Sequence, residues 1–163
     1  MDLWVTEELQ AYLIAQGVGQ VPGAAPSLTI PSIWLQPYDG APSPRRDKTT
    51  SDWLENATVT LNDTALGPPQ ALEAWIEEAF IDVVVRARTV PAARMIHRVV
   101  RELIHPTAAH GGRKQWQMGA LLVEYSTIWT SEAPTFSDST TVTRRAGYRF
   151  GARRKILAGL NTP

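Results

Sequence analysis

The chain contains no cysteine, so it forms neither disulfides nor thiolate metal sites and makes no demand for an oxidising compartment. Long apolar runs are missing too, and no stretch approaches the roughly 20 residues of a membrane-spanning helix. The first 17 residues carry acidic side chains where a secretory signal needs basic ones. These absences predict a soluble, intracellular protein without membrane contact. With 163 residues, 44% of them apolar, we expect one globular domain over residues 1–163.

Basic residues are scarce in the first half of the chain. Residues 1–85 hold twelve of the sixteen acids but only Arg45, Arg46 and Lys48 as bases. Residues 86–163 hold thirteen bases and four acids, so the halves carry about −9 and +9. This polarity predicts acidic and basic surfaces that meet on different copies, or a basic face for an anionic partner. Alternatively, the halves interleave in one fold and their charges cancel across its surface.

Apolar spacing predicts two main helices. The first covers about 3–16 and places Val5, Leu9, Tyr12 and Leu13 on one face. The second opens after Thr89 and ends at Pro106. Its predicted apolar stripe comprises Ala92, Met95, Ile96, Val99, Val100, Leu103 and Ile104, and its predicted wet face comprises Arg94, His97, Arg98, Arg101, Glu102 and His105. A short acidic helix is predicted near 70–79.

Alternating residues predict strands at about 32–38, 57–61, 80–88, 116–130 and 141–153. In the third of these, Ile81, Val83, Val85 and Ala87 share the buried face. In the fourth, Leu121, Val123, Tyr125 and Trp129 share one face. In the last, Val142, Ala146, Tyr148, Phe150 and Ala152 face inward. We expect the last two strands to pair as an antiparallel hairpin.

Two segments between these elements lack the pattern of a helix or strand. Residues 17–31 are interrupted by prolines and glycines and are predicted to be an extended, flexible connector. Residues 39–52 contain no apolar side chain larger than alanine, so we expect a mobile loop or arm that adds nothing to the core.

The residues that could carry catalysis form no complete set. Glu102 and His105 have the i, i+3 spacing of helix-bundle metal sites, but such a site needs two helices of this kind. Arg101 lies between His97 and His105 and would repel a metal ion. Residues 110–114 lack the spacing of a phosphate-binding loop, and no nucleophile set is present. We therefore predict no catalytic, cofactor or metal site, and no enzyme.

Arginines form the more informative pattern. Arg145, Arg149 and Arg153 share one face of the last strand, and Arg86 and Arg88 extend a second strand face. The aromatic side chains of the last strand point the opposite way, which disfavours a dedicated single-strand nucleic-acid binder. These arginines are solvated surface charges or contact a partner. The candidate interface or lumen residues are Arg45, Arg46, Arg86, Arg88, Arg145, Arg149 and Arg153.

The order of elements resembles a known family. An N-terminal amphipathic helix and a Pro-rich connector precede VVVRAR at 83–88, a helix that starts just after a proline, and a closing ribbon that ends in YRFGARR at 148–154. This order is similar to the tail terminator proteins of long-tailed bacteriophages, also called minor tail or minor capsid proteins. The resemblance implies an α+β fold: a mixed, mainly antiparallel sheet with two main helices packed on one face, plus extended Pro-rich loops.

The same resemblance implies a structural virion protein. Such proteins form a ring, typically a hexamer, that caps the head-proximal end of the tail tube, ends tube polymerisation and joins the tail to the head connector. The implied partners are further copies of the chain, the tail tube protein and the head–tail connector protein, with passive DNA contact in the lumen. The implied location is the virion, after assembly in the host cytoplasm. A ring uses a heterologous interface, for which opposite charges are complementary. We expect Arg45 and Arg46 to contact another subunit or the tube.

Other functions remain open at this point. The nearest alternative is another neck component, a head–tail connector or stopper, which differs in its position on the tail. A DNA-binding protein would use the face of Arg145, Arg149 and Arg153, and it would show salt-dependent affinity for duplex DNA. An enzyme with an unfamiliar site is the last alternative.

Overall fold

The structure is a computed structural model that describes residues 4–35, 41–63, 77–104 and 115–154. These residues form two helices and seven strands. In chain order they are α1 (Trp4–Ala15), β1 (Ser32–Leu35), β2 (Ala57–Asp63), β3 (Glu77–Ala87), α2 (Val90–Ile104), β4 (Trp116–Met118), β5 (Leu121–Ser131), β6 (Thr135–Phe136) and β7 (Val142–Arg154).

All seven strands belong to one sheet with the order β1-β2-β3-β7-β5-β4, and β6 pairs with the first residues of β7. β1 and β2 are parallel, whereas every other pair among the described strands is antiparallel. β3 and β7 pair along their length, from Glu77 opposite Ala152 to Ala87 opposite Val142. The mixed, mainly antiparallel α+β fold expected from the sequence is thereby confirmed.

Both helices pack on one face of the sheet. α2 lies against the central strands β3 and β7, whereas α1 contacts β1, β2 and also β4. Because β1 and β4 stand at opposite ends of the strand order, the sheet must curl for α1 to reach both. The ring of Tyr12 on α1 lies 4.9 Å from that of Trp116 on β4. Val5, Leu9 and Leu13 of α1 are buried as predicted.

The predicted inward face of β3 is confirmed, since Ile81, Val83, Val85 and Ala87 are fully buried. The inward face of β7 is confirmed in the same way. Val142, Ala146, Tyr148, Phe150 and Ala152 are all buried. These two strands supply the centre of the core, where each buried aliphatic or aromatic side chain adds about 1.5–3 kcal/mol of favourable transfer free energy.

α2 forms where the sequence predicts a helix, but its buried stripe is rotated. Thr89 accepts a hydrogen bond from the Ala92 amide through Oγ1 and so caps the helix. The buried residues are Ala93, Ile96, His97, Val100 and Ile104. Met95 and Val99, predicted to be buried, are exposed, and His97, predicted to be wet, is buried. The prediction was wrong because α2 turns its His97 side toward the sheet and leaves its Met95 side in solvent.

Two other predicted elements need correction. The short acidic helix near 70–79 is wrong at its end, because Glu77 already belongs to β3 and pairs with β7; residues 70–76 lie outside the described residues. The single strand at 116–130 is two strands, because Gly119 adopts a left-handed φ of 58° and turns β4 back along β5.

The alternation predicted for β5 also breaks. Register shifts at Val123/Tyr125 and Ile128/Thr130 mark β-bulges. Leu121 and Val123 are buried in the core, whereas the Tyr125 hydroxyl donates to Glu78 from the opposite face of the sheet. A bulge inserts an extra residue, so the side chains that follow change face.

The loop expected at 39–52 is described from residue 41 and lies against the sheet. Ala41 and Pro44 are buried, and the Thr58 hydroxyl donates to the Pro42 carbonyl. Residues 41–44 therefore do contribute to packing, contrary to the expectation of an arm without core contacts. The connector at 17–31 meets the start of β1, where the Ile33 amide donates to the Gln20 carbonyl at 2.9 Å. Neither described helix is long and apolar enough to cross a membrane.

Candidate interaction surfaces

The face of the sheet opposite the helices carries the predicted arginine stripe. Arg145, Arg149 and Arg153 occupy every fourth position along β7, and Arg86 extends the same face on β3. The position of this stripe agrees with the prediction. The arginines of the stripe were expected to be solvated or to contact a partner. Instead, each of these four guanidinium groups contacts a carboxylate of the same chain.

We call these four contacts the ion-pair ladder. They are Arg86–Asp138 at 2.6 Å, Arg145–Asp82 at 3.4 Å, Arg149–Glu78 at 2.7 Å and Arg153–Glu124 at 2.6 Å. Two of the carboxylates come from β3, one from β5 and one from the turn before β7. Acidic residues from both halves of the sequence thus neutralise the basic stripe, as expected if the two halves interleave.

Tyr125 organises the centre of the ladder. Its hydroxyl donates to Glu78 at 2.8 Å while Arg149 donates to the same carboxylate, and the Arg149 guanidinium stands 5.6 Å from the Tyr125 ring centre. The hydrogen bond from Arg149 holds the pKa of Glu78 below its usual value. A Cβ at Gly151 would approach the Tyr125 ring to 2.2 Å, so glycine is needed there for the ring to lie flat.

The carboxylates of Asp82 and Asp138, both in the ion-pair ladder, differ in burial and in the direction of their pKa shifts. Burial raises the pKa of Asp82, and the neighbouring Arg145 offsets this only in part. Asp138 is exposed, and hydrogen bonds from the Thr140 amide and hydroxyl, together with Thr141, hold its pKa well below its usual value. Asp138 therefore stays ionised and shapes the turn that leads into β7.

Arg45 has partners within its own chain. Its guanidinium donates to Glu55 at 2.6 Å and to the Ala24 carbonyl at 3.1 Å, and the Glu55 side chain is buried. Ser32 also donates to Glu55, at 2.5 Å. Burial raises the pKa of Glu55, but the hydrogen bonds from Arg45 and Ser32 outweigh it, so the pKa is lowered overall. The Arg45 guanidinium therefore closes a polar site within its own chain, and its contact with another subunit stays a prediction.

Arg46 and Arg88 flank one aromatic ring. The Arg46 guanidinium lies 3.7 Å from the Trp53 ring centre and that of Arg88 lies 5.2 Å from it. Arg88 also donates to Asn56 Oδ1 at 2.9 Å. Neither has an acidic partner among the described residues. Of the seven predicted residues, these two keep an uncompensated charge, and each cation–π contact contributes about 0.5–1 kcal/mol at such an exposed site.

A second arginine group lies on the helix side and was missed in part. α2 and β7 border a cleft of about 770 Å³. Its lining includes Arg94, Arg98 and Arg101 of α2 together with Arg144 of β7. Alternation with Ala146 and Tyr148 could have placed Arg144 on this side, since residues two apart share a strand face.

The described residues hold no group of three His, Asp or Glu side chains that could bind a metal ion together. Residues 110–114, considered above for phosphate binding, lie outside the described ranges. No protein-family model and no curated protein sequence matches this chain.

Proposed function

We propose that the chain is a structural virion protein of the tail terminator kind. In this proposal, six copies of the chain form a ring that caps the head-proximal end of a phage tail tube, stops its polymerisation and joins it to the head connector. The order of elements supports the proposal. The α+β fold with both helices on one face of a mainly antiparallel sheet is the architecture that the resemblance implies.

The observation that carries the proposal is the exposure of large apolar side chains. Trp129 and Phe136, at the far end of the β5–β7 ribbon, are 58% and 79% exposed. Val21, Leu28 and Ile30 in the segment 17–31 are 51%, 49% and 38% exposed. Exposed apolar surface of this kind is what a partner protein would cover.

Two unlike surfaces on one chain suit a ring. In a closed ring, one surface of each subunit meets a different surface of its neighbour. One such surface is the region around Trp129, whose ring centre lies 5.7 Å from that of Phe80. The other is the segment 17–31. Contacts with the tube protein, the connector protein and passing DNA would then fall to the remaining faces, and the location of the protein would be the virion.

The test is a mass measurement of the purified chain, alone and mixed with a phage tail tube protein, by sedimentation velocity. We expect rings to form alone or on tube ends, and tubes to stay short in the presence of the chain. Replacing both Trp129 and Phe136 by serine should weaken assembly at least tenfold while the monomer stays folded. The control is Ala15→Ser, at an exposed position on α1.

Three results are informative. A chain that stays monomeric with tube protein at all concentrations would remove the proposal. Rings that ignore tube ends but bind connector protein would favour the connector or stopper alternative. Tight binding of duplex DNA by the monomer, with strong salt dependence, would favour the DNA-binding alternative.

A further inference from the structure

The cleft between α2 and β7 concentrates basic groups without matching acids. Among the described residues, four arginines line it, namely Arg94, Arg98, Arg101 and Arg144, and Glu102 is the one carboxylate beside them. Arg98 and Glu102 stand 3.5 Å apart, but both side chains are largely exposed, so this pair contributes little. The cleft therefore keeps a net charge of about +3, in contrast to the neutralised ladder on the other side of the sheet.

Helical geometry sorts the exposed residues of α2 into two parallel rows. With 100° per residue, Arg94, Arg98 and Arg101 fall within about 60° of each other and border Arg144. Met95 and Val99, one turn apart, form the adjacent row on the outer side. Met95 is 63% exposed and Val99 is 39% exposed. A basic row beside an apolar row is the complement of an amphipathic, acidic segment.

The side of the cleft nearest the sheet carries buried polar groups that lack partners. His97 lines the cleft and is 2% exposed, yet its Nε2 atom has no hydrogen-bond partner among the described residues. The Nε atom of Arg144 is in the same state. A buried donor without an acceptor costs about 1–3 kcal/mol, which an incoming acceptor can restore.

We propose that this cleft binds an acidic, amphipathic segment of a partner protein. Carboxylates of the segment contact Arg101 and Arg144 beside His97, and its apolar side chains cover Met95 and Val99. Charge complementarity identifies the acidic row of the partner, and the exposed Met95–Val99 row identifies its apolar row. A nucleic-acid backbone would satisfy the arginines but leave the apolar row in water. The inference goes beyond the proposed function and holds whether or not the chain forms a ring.

The test uses the full chain and a fluorescent helical peptide that carries glutamates on one stripe and leucines on the other. We expect saturable binding by anisotropy, and at least tenfold weaker binding of the same peptide with glutamine for glutamate. Arg101→Gln and Arg144→Gln should each weaken binding about tenfold, and Met95→Ser about threefold. The matched control is Arg88→Gln, an exposed arginine outside the cleft, which should leave the affinity unchanged.

The outcomes separate clearly. Arg101 is exposed, so its variant tests the cleft even if Arg144→Gln fails to fold. Binding also places a carboxylate beside His97, and the imidazole resonances should then titrate at higher pH than in the free chain. Equal affinity for the glutamine peptide, equal weakening by Arg88→Gln, or tighter binding of a 20-base-pair duplex that the cleft variants abolish would each overturn the proposal.

Discussion

The ion-pair ladder and the α2–β7 cleft contain arginines from the same strand, yet they have opposite electrostatic states. Arg145 pairs with Asp82 on one side of the sheet, whereas Arg144, the preceding residue, points to the other side and has no carboxylate in the described contacts. The ladder joins strands inside the fold. The arginines of the cleft keep a net positive charge, which a group from another molecule can neutralise. The number of arginines in a segment therefore does not show how much of their charge is uncompensated. That depends on which residues lie beside them on the neighbouring strands.

The largest effect is expected where an ion pair is most buried. Arg45→Met would leave the buried carboxylate of Glu55 with only Ser32 and one backbone amide as donors. We expect a loss of about 2–4 kcal/mol in the free energy of unfolding, measured by urea denaturation. Arg46→Met, one residue along and exposed on Trp53, should change it by less than about 1 kcal/mol. Equal losses for the two variants would show that burial of Glu55 does not matter.

His97 should make the cleft side sensitive to acid. Burial, with Arg144 and Arg101 close by, lowers the pKa of His97 from 6.5 to about 4. As the pH falls, the unfolded chain therefore binds the proton before the folded chain does. The free energy of unfolding should decrease between about pH 6.5 and pH 4 and then level off, by on the order of 3 kcal/mol.

Urea denaturation at stepped pH, compared between the native chain and His97→Gln, isolates this group from the carboxylates. The difference between the two curves should shrink as the pH falls through that window. A constant difference would contradict the neutral, buried imidazole.

Gly151, which lies against the Tyr125 ring at the centre of the ion-pair ladder, should tolerate substitution poorly. Alanine there would push the Tyr125 ring from its place and disturb its hydrogen bond to Glu78. We expect a loss of about 1–3 kcal/mol in the free energy of unfolding. The double variant with Tyr125→Leu serves as the control, because removing the ring hydroxyl and reshaping the side chain should make the alanine much less costly. Full additivity of the two changes would contradict a direct contact.

Single arginines provide the smallest and most direct contrast. Arg149→Gln should lower the free energy of unfolding, because the Glu78 carboxylate loses its charged donor. Arg101→Gln should cost nothing or add a few tenths of a kcal/mol, because it removes like-charge repulsion from the cleft. Both are measured by urea denaturation at pH 7 and low salt. A larger loss of stability for Arg101→Gln than for Arg149→Gln would contradict the contrast between the cleft and the ion-pair ladder.

Much of the fold could be predicted, because alternation and helical spacing report local burial. The inward faces of β3 and β7 agree with prediction residue by residue, as does the apolar face of α1. The rotation of α2 could not be predicted, since its apolar residues span a wide arc and only packing on β3 and β7 selects which part is buried. Met95 and His97 exchange their expected environments for that reason.

The interaction surfaces were less predictable. The alternation in β7 correctly places Arg145, Arg149 and Arg153 on one face, but their partners depend on register with β3 and β5. A bulge, a property of the paired strands, brings Tyr125 to the ladder. The pairing of Arg45 with Glu55 depends on how a loop folds back, and no periodicity encodes that. Residue type indicates charge, whereas tertiary structure decides whether the charge is compensated.

The central claim is that the basic groups of β7 are neutralised on one side of the sheet and available on the other. Its most direct test is to follow the arginine Nε–H resonances by NMR while the acidic amphipathic peptide is added. We predict that Arg144 and Arg101 shift in a saturable manner and that Arg145, Arg149 and Arg153 stay in place. Larger shifts of the three ladder arginines than of Arg144 and Arg101 would contradict it.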